Sequence, residues 1–393
     1  MNAEGRGVPV VAGPLAGYEA AFRAYLSRSG YAQVSVRHLV RVMARASHWL
    51  EERGVTVGGL TSPLAAELEA GLPGAGPLLR FLRVAGLVPA AGRAVGAGPA
   101  EALLAQFRGW LAGERGLSAA TVGCYAKQAR KFLEHLPGPL DAALQRLGAG
   151  QVTSFMTGYC RDRNPESAKA TVTAVRALLR FLHVTGHVPV PLAGAVPAVA
   201  GWRLASLPRG LDAAVISRLL ASCDRGTITG RRDFAILTML ARLGLRGAEV
   251  AALELADVDW LGGEVAIRGK GSRIERLPLP ADVGEAMAAY LMAGRPRCGA
   301  RAVFCTVRAP YQQLTSAAIR GIMGRACRRA GLPRAGAHRL RHSLATEMLR
   351  AGASLPEVGQ VLRRRSQLAT SVYAKVDENA LRVLARPWPG GAS

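Results

Sequence analysis

The residues of this chain that could perform chemistry together lie in its last third. His338 and Arg341 are three positions apart in a stretch where Leu340 and Leu344 recur at helical spacing, so both would lie on one helix face. An imidazole and a guanidinium directed at one point suit a phosphodiester, whose charge must be held while the phosphorus is attacked. Tyr373 follows further along the chain and could supply the attacking hydroxyl. The pattern indicates formation of a phosphotyrosine bond.

Two earlier stretches carry further candidates, each weak by itself. Arg246 follows an apolar segment and a Gly-Leu pair, where a capping or salt-bridging arginine is the ordinary interpretation. Lys270 lies between two glycines, where a solvated turn lysine is the ordinary interpretation. A phosphate-binding P-loop is excluded, because Glu264 and Gly271 stand where that motif requires glycine and serine or threonine.

These stretches occur in the order found in one family. The sequence His-x-Leu-Arg-His at residues 338–342, followed by Tyr373, resembles the tyrosine recombinase (phage integrase) family. Residues 244–253 resemble the segment that carries the first catalytic arginine of that family, and residues 268–279 resemble the hairpin that carries its catalytic lysine. Together the motifs cover about the last 180 residues.

The resemblance implies a role for each candidate. Tyr373 would attack a DNA phosphate and form a 3′-phosphotyrosine link, Lys270 would protonate the departing 5′ oxygen, and no metal or other cofactor would be needed. Glu249 matches an acidic position of the family and would orient arginine side chains, whereas His342 would be a structural hydrogen-bonding residue. The implied catalytic set is Arg246, Lys270, His338, Arg341, Arg364 and Tyr373.

Arg364 departs from the family pattern. The family usually has histidine nine residues before the tyrosine, and here Arg364 occupies that position. Arginine can still donate a hydrogen bond to a phosphate oxygen, but it cannot act as a base. The substitution leaves open altered catalysis, a subunit that works within a mixed complex, or a weakened enzyme.

Composition points to a polyanionic partner. The chain of 393 residues has 51 basic and 27 acidic residues and a formal net charge of +24. Only five of the basic residues are lysine, which genome bias could explain, but such bias does not explain the excess of bases over acids. The six scattered cysteines predict a reduced, cytoplasmic and nucleoid-associated protein, and no apolar run is long enough to span a membrane.

An internal repeat predicts two related helical domains in tandem. Residues 78–89 recur as residues 178–189 with the same apolar, arginine and Gly-x-Val-Pro pattern, in which the glycine would end a helix. Residues 22–26 likewise resemble residues 107–111. The predicted divisions are a disordered leader (1–14), a first helical domain (15–95), a core-binding helical domain (98–189), a linker (190–210), a catalytic domain (211–386) and a tail (387–393).

Basic side chains at helical spacing are candidates for contact with DNA phosphates. In the first domain they form a stripe on a helix predicted at residues 35–50, although a solvated face is the alternative. Others lie on two helices of the second domain. The predicted DNA-binding residues are Arg37, Arg41, Arg45, Lys127, Arg130, Lys131, Lys169, Arg176 and Arg180.

The expected fold is mainly α: tandem helical DNA-binding domains precede a mixed α+β catalytic domain with a small β-sheet. In the catalytic domain we expect a buried helix at 233–243, a turn at 257–260, strands at 264–267 and 274–279, and helices in the remainder. The short apolar run 355–362 is one of these helices.

The predicted function is site-specific recombination of double-stranded DNA, of the integrase or transposase type. Family members act as tetramers on two duplexes and exchange C-terminal segments, for which residues 377–384 are the candidate here, and partner recombinases are possible. Two alternatives remain open: a monomeric type IB topoisomerase, and a non-enzymatic DNA-binding accessory subunit, which only Arg364 suggests.

Overall fold

The computed structural model describes residues 11–88, 98–199, 210–269 and 273–363. The chain divides into two compact units, one formed by Met1–Gly54 with Ser206–Ser393 and the other by Val55–Ala205. Both are largely helical, and the described residues contain one three-stranded sheet. The mainly α fold class with a small sheet is confirmed, whereas the domain boundaries drawn from the sequence stay a prediction.

The N-terminal part of the first unit has two α-helices, α1 (Glu19–Arg28) and α2 (Gln33–Glu52), after a 3-10 turn at Gly13–Tyr18. Helix α2 is longer than predicted at both ends. Its apolar side is buried at Val36, Val40 and Met43, as the periodicity predicts. This burial fixes which face of α2 remains open to solvent.

The second unit is built from seven helices in the described residues. Two of the helices that form its main apolar core begin with a side-chain cap: Ser118 accepts from the Thr121 N–H at 3.4 Å, and Asn164 accepts from the Ser167 N–H at 2.8 Å. The helices are α3 (Ser62–Gly71), α4 (Gly76–Val84), α5 (Pro99–Gly113), α6 (Ala119–Leu133), α7 (Leu140–Gln145), α8 (Ala149–Cys160) and α9 (Pro165–Val184).

The two copies of the repeat have the same helix end. Gly86 and Gly186 follow α4 and α9 with φ of +72° and +78°. In the first copy the Leu82 carbonyl accepts the N–H groups of Leu87 and Val88, at 2.9 and 3.3 Å. In the second copy the Leu182 carbonyl accepts those of His187 and Val188, at 2.8 and 3.1 Å. The glycine therefore ends both helices, as predicted, because φ in this region strains residues that carry a side chain.

Part of the predicted linker packs on the second unit. Leu192 and Val196 are buried in its core. Arg176 of α9 donates to the Val196 carbonyl at 2.8 Å, and Thr153 of α8 donates to the Ala195 carbonyl at 3.1 Å. Residues 190–199 thus form an ordered segment that includes a 3-10 turn at Leu192–Ala195.

The C-terminal part of the first unit surrounds one buried helix. This helix, α11 (Ile228–Arg242), packs against α13 (Ala281–Ala293) and α15 (Ala337–Arg350). Thr227 caps its start. The other elements are α10 (Ala213–Ala221), α12 (Gly247–Ala252), β1 (Val258–Asp259), β2 (Glu264–Arg268), β3 (Ile274–Pro278), α14 (Ser316–Arg329) and α16 (Leu355–Val361).

The sheet is antiparallel in the order β1-β2-β3. Strands β2 and β3 form the predicted hairpin, with Arg268 opposite Ile274. Strand β1 was missed, since residues 257–260 read as a turn. Val258 is buried and pairs with Val265, so the chain extends there and turns only afterwards, where Gly263 has φ of +64°.

The expectation that the remainder would be helical is also wrong in one region. Residues between α13 and α14 form no helix; Cys305 pairs with Gln313 in an antiparallel bridge, and Phe304 is buried. The buried Tyr290 hydroxyl accepts the Cys305 N–H at 3.2 Å. A short extended segment closed by tertiary contacts carries no helical or strand period, so the sequence pattern could not reveal it.

Candidate active site

The candidate site begins where α11 ends. Gly244 has φ of +56°, and a Cβ atom there would lie 3.0 Å from methyl carbons of both Leu344 and Leu362. Both the backbone conformation and the close packing therefore require glycine at position 244. The turn delivers Arg246 to the position just before α12, in extended conformation.

Arg246 and Glu249 form a close ion pair. Arg246 Nη1 donates to Glu249 Oε1 at 2.6 Å, and the Arg246 main-chain N–H donates to Glu249 Oε2 at 2.8 Å. The Glu249 side chain is 4% exposed, and that of Arg246 is 40% exposed. A buried carboxylate thus holds a guanidinium that remains open to solvent. The role of Glu249 as an orienting residue in catalysis stays a prediction.

The charges around Glu249 keep it ionised. Burial alone raises the pKa of this carboxyl, but the hydrogen bond from the Arg246 main-chain N–H and the charges of Arg363 and Arg246 together bring its pKa below the ordinary value. Glu249 therefore acts as an anion that holds arginines, not as a proton donor at neutral pH.

Arg341 ties the elements of the site together. Its side chain is buried on α15. Nη1 donates to the Gly244 carbonyl at 2.5 Å, and Nη2 donates to the Leu362 carbonyl at the end of α16. The guanidinium thus links the turn before Arg246 to the chain that leads toward the predicted tyrosine. Charged donors to carbonyl groups make strong contacts in a buried setting.

The other residues of the predicted helical motif lie along α15. His338 is exposed in its first turn, and His342 is partly buried one turn later. Arg339 donates to the Gly210 carbonyl at 3.0 Å, and Ser343 accepts the Leu211 N–H at 2.6 Å. The helix that carries His338 and Arg341 is thereby fixed to the start of the described C-terminal region.

Three predicted catalytic residues lie outside the described residues: Lys270, Arg364 and Tyr373. The same holds for the predicted C-terminal helix at 377–384. The described residues on either side of Lys270 continue the pairing of β2 with β3. The Gly269 N–H donates to the Arg273 carbonyl at 2.8 Å.

One site residue was missed by the sequence analysis. Arg363 Nη2 donates to Glu249 Oε2 at 2.8 Å, and the Arg363 side chain is 5% exposed. The signal in the sequence is the run of three arginines at 363–365. The family spacing from Tyr373 indicates only Arg364 among them. No local pattern shows that the first arginine of such a run turns inward.

The basic stripe of α2 lies on its open face. Arg37, Arg41 and Arg45 are all exposed, on the side opposite the buried apolar residues. Their spacing along α2 would let them follow a row of phosphates. Contact of these three arginines with DNA stays a prediction.

The predicted basic residues of the second unit divide into two groups. Lys127 and Arg180 are exposed. The others have contacts within the protein: Arg130 pairs with Glu101, Lys131 lies 5.7 Å from the centre of the Tyr159 ring, Lys169 lies 3.4 Å from Glu166 Oε1, and Arg176 donates to Val196. We therefore expect Lys127 and Arg180 to contribute more to phosphate binding than Arg130 and Arg176.

Comparison with known proteins identifies the family. The family model described as Phage integrase family matches residues 209–380. The putative integrase/recombinase y4rA of Sinorhizobium fredii is 40% identical over 394 residues, which cover 97% of this chain and 96% of that protein. Tyrosine recombinase XerD of Mycobacterium tuberculosis is 31% identical over 299 residues, or 70% of this chain and 93% of XerD.

The chain therefore belongs to the phage integrase family of tyrosine recombinases, and its function is site-specific DNA recombination.

Solved structures share the fold. XerH site-specific recombinase, bound to the palindromic difH substrate in a post-cleavage complex, gives a TM-score of 0.57 at 20% identity and covers 73% of this chain and 85% of XerH. A lambda integrase dimer bound to a COC′ core site gives 0.53 at 17% identity, with 73% and 96% covered. In the described part of this chain, no helix is both long and apolar enough to cross a membrane.

Proposed function

We propose that this protein breaks and rejoins DNA strands through Tyr373. The Tyr373 hydroxyl gives up its proton to solvent as its oxygen attacks a DNA phosphorus, and the bond from that phosphorus to the 5′ oxygen breaks. Lys270 gives a proton to the departing 5′ oxygen. The 5′ hydroxyl of a partner strand then attacks the 3′-phosphotyrosine, a new phosphodiester forms, and tyrosine leaves. The phosphodiester bond energy is kept in the covalent link, so the reaction uses no cofactor.

The observation that carries the proposal is the convergence of distant arginines on one turn. Arg341 Nη1 lies 2.5 Å from the Gly244 carbonyl, two residues before Arg246, although the two arginines are far apart in sequence. Arg246 is held by Glu249 and still open to solvent. With His338 exposed on the same helix as Arg341, these groups would stabilise the charge of a pentacoordinate phosphorane. Arg364 would supply a further hydrogen bond.

The partner is double-stranded DNA. The charge of +24 and the exposed stripe Arg37, Arg41 and Arg45 support phosphate contacts. Solved structures with a similar fold include a lambda integrase tetramer bound to a Holliday junction. We infer that this chain forms a homo-tetramer on two duplexes by exchange of C-terminal segments, and that it acts at the nucleoid in the cytoplasm.

The test is capture of the covalent intermediate. A target is first located by footprinting the purified protein on the genomic DNA that flanks its gene. A duplex from that site carries a nick close to the cleavage position. After cleavage, the short fragment that bears the new 5′ hydroxyl diffuses away, so strand rejoining is prevented and the protein stays covalently attached to the DNA. We expect the wild-type protein to form this adduct and Tyr373→Phe to bind the same DNA without forming it, because only the hydroxyl is lost.

The outcomes separate the proposal from the alternatives. An adduct with Tyr373→Phe would identify another nucleophile. Absence of any wild-type adduct on a bound target would favour an accessory subunit. Relaxation of supercoiled plasmids that lack the target would favour a type IB topoisomerase.

A further inference from the structure

Arg363 has a backbone conformation that glycine would adopt without strain. Its φ is +51°, and within the described residues no other residue except glycine has a positive φ. Its N–H donates to the Gln360 carbonyl at 2.8 Å, and Arg341 holds the preceding Leu362 carbonyl. The conformation is therefore fixed from both sides, and the strain points to a task for the Arg363 side chain that glycine could not perform.

The side chain of Arg363 reaches under the candidate site. Glu249 Oε2 accepts from Arg363 Nη2 at 2.8 Å, while Glu249 Oε1 accepts from Arg246 Nη1 at 2.6 Å. One buried carboxylate is thus shared by a buried guanidinium and an exposed one. In this arrangement Arg363 fixes the carboxylate, and the carboxylate fixes the direction in which Arg246 points.

The site keeps an excess of positive charge. Two guanidinium groups bind the Glu249 carboxylate, and the next acid, Glu275, lies 3.7 Å from Arg363 Nε and is largely open to solvent. Among the described residues, the buried Nε and Nη1 of Arg363 have no hydrogen-bond partner. Two guanidinium groups on one buried carboxylate leave a surplus of positive charge, which favours an anion beside Arg246.

We propose that Arg363 is a positioning residue for strand cleavage: through Glu249 it holds the Arg246 guanidinium toward the phosphodiester that is cut. This inference rests on the proposed function, because it assigns Arg246 to the scissile phosphate. The rate of cleavage, more than the affinity for DNA, depends on Arg363.

The main test is Arg363→Gly, which removes the guanidinium and suits the observed φ. We expect single-turnover adduct formation on the nicked duplex to slow by about tenfold to a hundredfold, the usual range for partners that orient a reacting group. DNA affinity at the same salt should change little. Added guanidinium chloride should restore part of the rate, whereas sodium chloride at equal ionic strength should not, a rescue that a purely structural role would not give.

The route through Glu249 is tested with a double-mutant cycle. Arg363→Gly combined with Glu249→Gln should be no slower than Glu249→Gln alone, because both changes break one chain of contacts. Glu275→Gln is the matched control and should cleave at the wild-type rate, since Glu275 makes only the 3.7 Å contact with Nε. A wild-type rate for Arg363→Gly, or losses that multiply in the double variant, would overturn the proposal.

Two further measurements keep the inference distinct from the proposed function. Carboxyl NMR of Glu249 should show a higher pKa in Arg363→Gly than in wild type, because a neighbouring positive charge is lost. An unchanged pKa of Glu249 would refute the shared-carboxylate geometry even if the wild-type protein forms no adduct. If Arg363→Gly does not fold, Arg363→Lys replaces it; slower cleavage with an intact fold supports the proposal, and an unchanged rate sinks it.

Discussion

Gly244→Ala is the change for which the structure gives the clearest magnitude. The methyl group would be placed in left-handed backbone, which costs about 1–2 kcal/mol. It would also lie 3.0 Å from methyl carbons of both Leu344 and Leu362, an overpacking that costs about 1–3 kcal/mol in well-packed cores. Gly244→Ala should therefore lower the free energy of unfolding by about 2–5 kcal/mol.

The matched control is Gly331→Ala. Gly331 belongs to the same compact unit and has φ of +64°, but a Cβ atom there would meet nothing within 4 Å. It should show only the backbone cost, about 1–2 kcal/mol. Urea midpoints of the two variants, followed by circular dichroism and by fluorescence, measure the difference, with agreement of the two probes as the check for a single transition.

The two variants should also differ in activity. Gly244→Ala displaces the carbonyl that accepts from Arg341, so adduct formation should slow, whereas Gly331→Ala should cleave as wild type. Equal midpoint shifts in the two variants would refute the close packing of Gly244 against the two leucines. A destabilised Gly244→Ala that still cleaved at the wild-type rate would remove Gly244 from the site.

Three further changes probe Lys270, the basic stripe of α2 and the Glu249 carboxylate. Lys270→Ala should slow cleavage of ordinary DNA and be largely rescued by a 5′-bridging sulfur, whose leaving group needs little protonation; failure of this rescue would remove the general-acid role. Replacing Arg37, Arg41 and Arg45 by alanine should reduce the slope of log affinity against log salt by up to roughly 3, and an unchanged slope would mean that the stripe does not meet DNA. Because the folded pKa of Glu249 is lowered, its stabilising contribution is present above the ordinary pKa of 4.5 and is lost as pH falls below it. The urea midpoint of Glu249→Gln should accordingly fall less steeply than that of wild type below pH 4.5; parallel curves would contradict the shift.

Periodic signals gave reliable predictions. The apolar spacing of α2 predicted its buried face, and the common Gly-x-Val-Pro pattern predicted the same helix end at Gly86 and Gly186. The hairpin β2-β3 followed from two short runs around a glycine-flanked turn. In each case residues near in sequence determine the conformation, so the sequence alone contains the information.

Strand β1 shows where that information ends. Val258 and Asp259 are extended because Val258 is buried against Val265, and two residues are too few to produce an alternating pattern. The bridge between Cys305 and Gln313 likewise depends on tertiary contacts. The inward turn of Arg363 has the same origin, since it requires both the Gln360 carbonyl and the distant Glu249 carboxylate.

Arg363 and Arg364 together change how the departure from the family pattern is understood. From the sequence, Arg364 alone replaces a usual histidine, which leaves open altered catalysis, a subunit of a mixed complex or a weakened enzyme. In the structure, the preceding arginine accepts a strained backbone and binds the carboxylate that orients Arg246. A site that was losing function would not be expected to retain a buried arginine at a cost in backbone strain, when glycine would relieve it. The buried Arg363 is therefore better understood as positive charge that supports Glu249 and Arg246 than as a sign of a lost catalytic group.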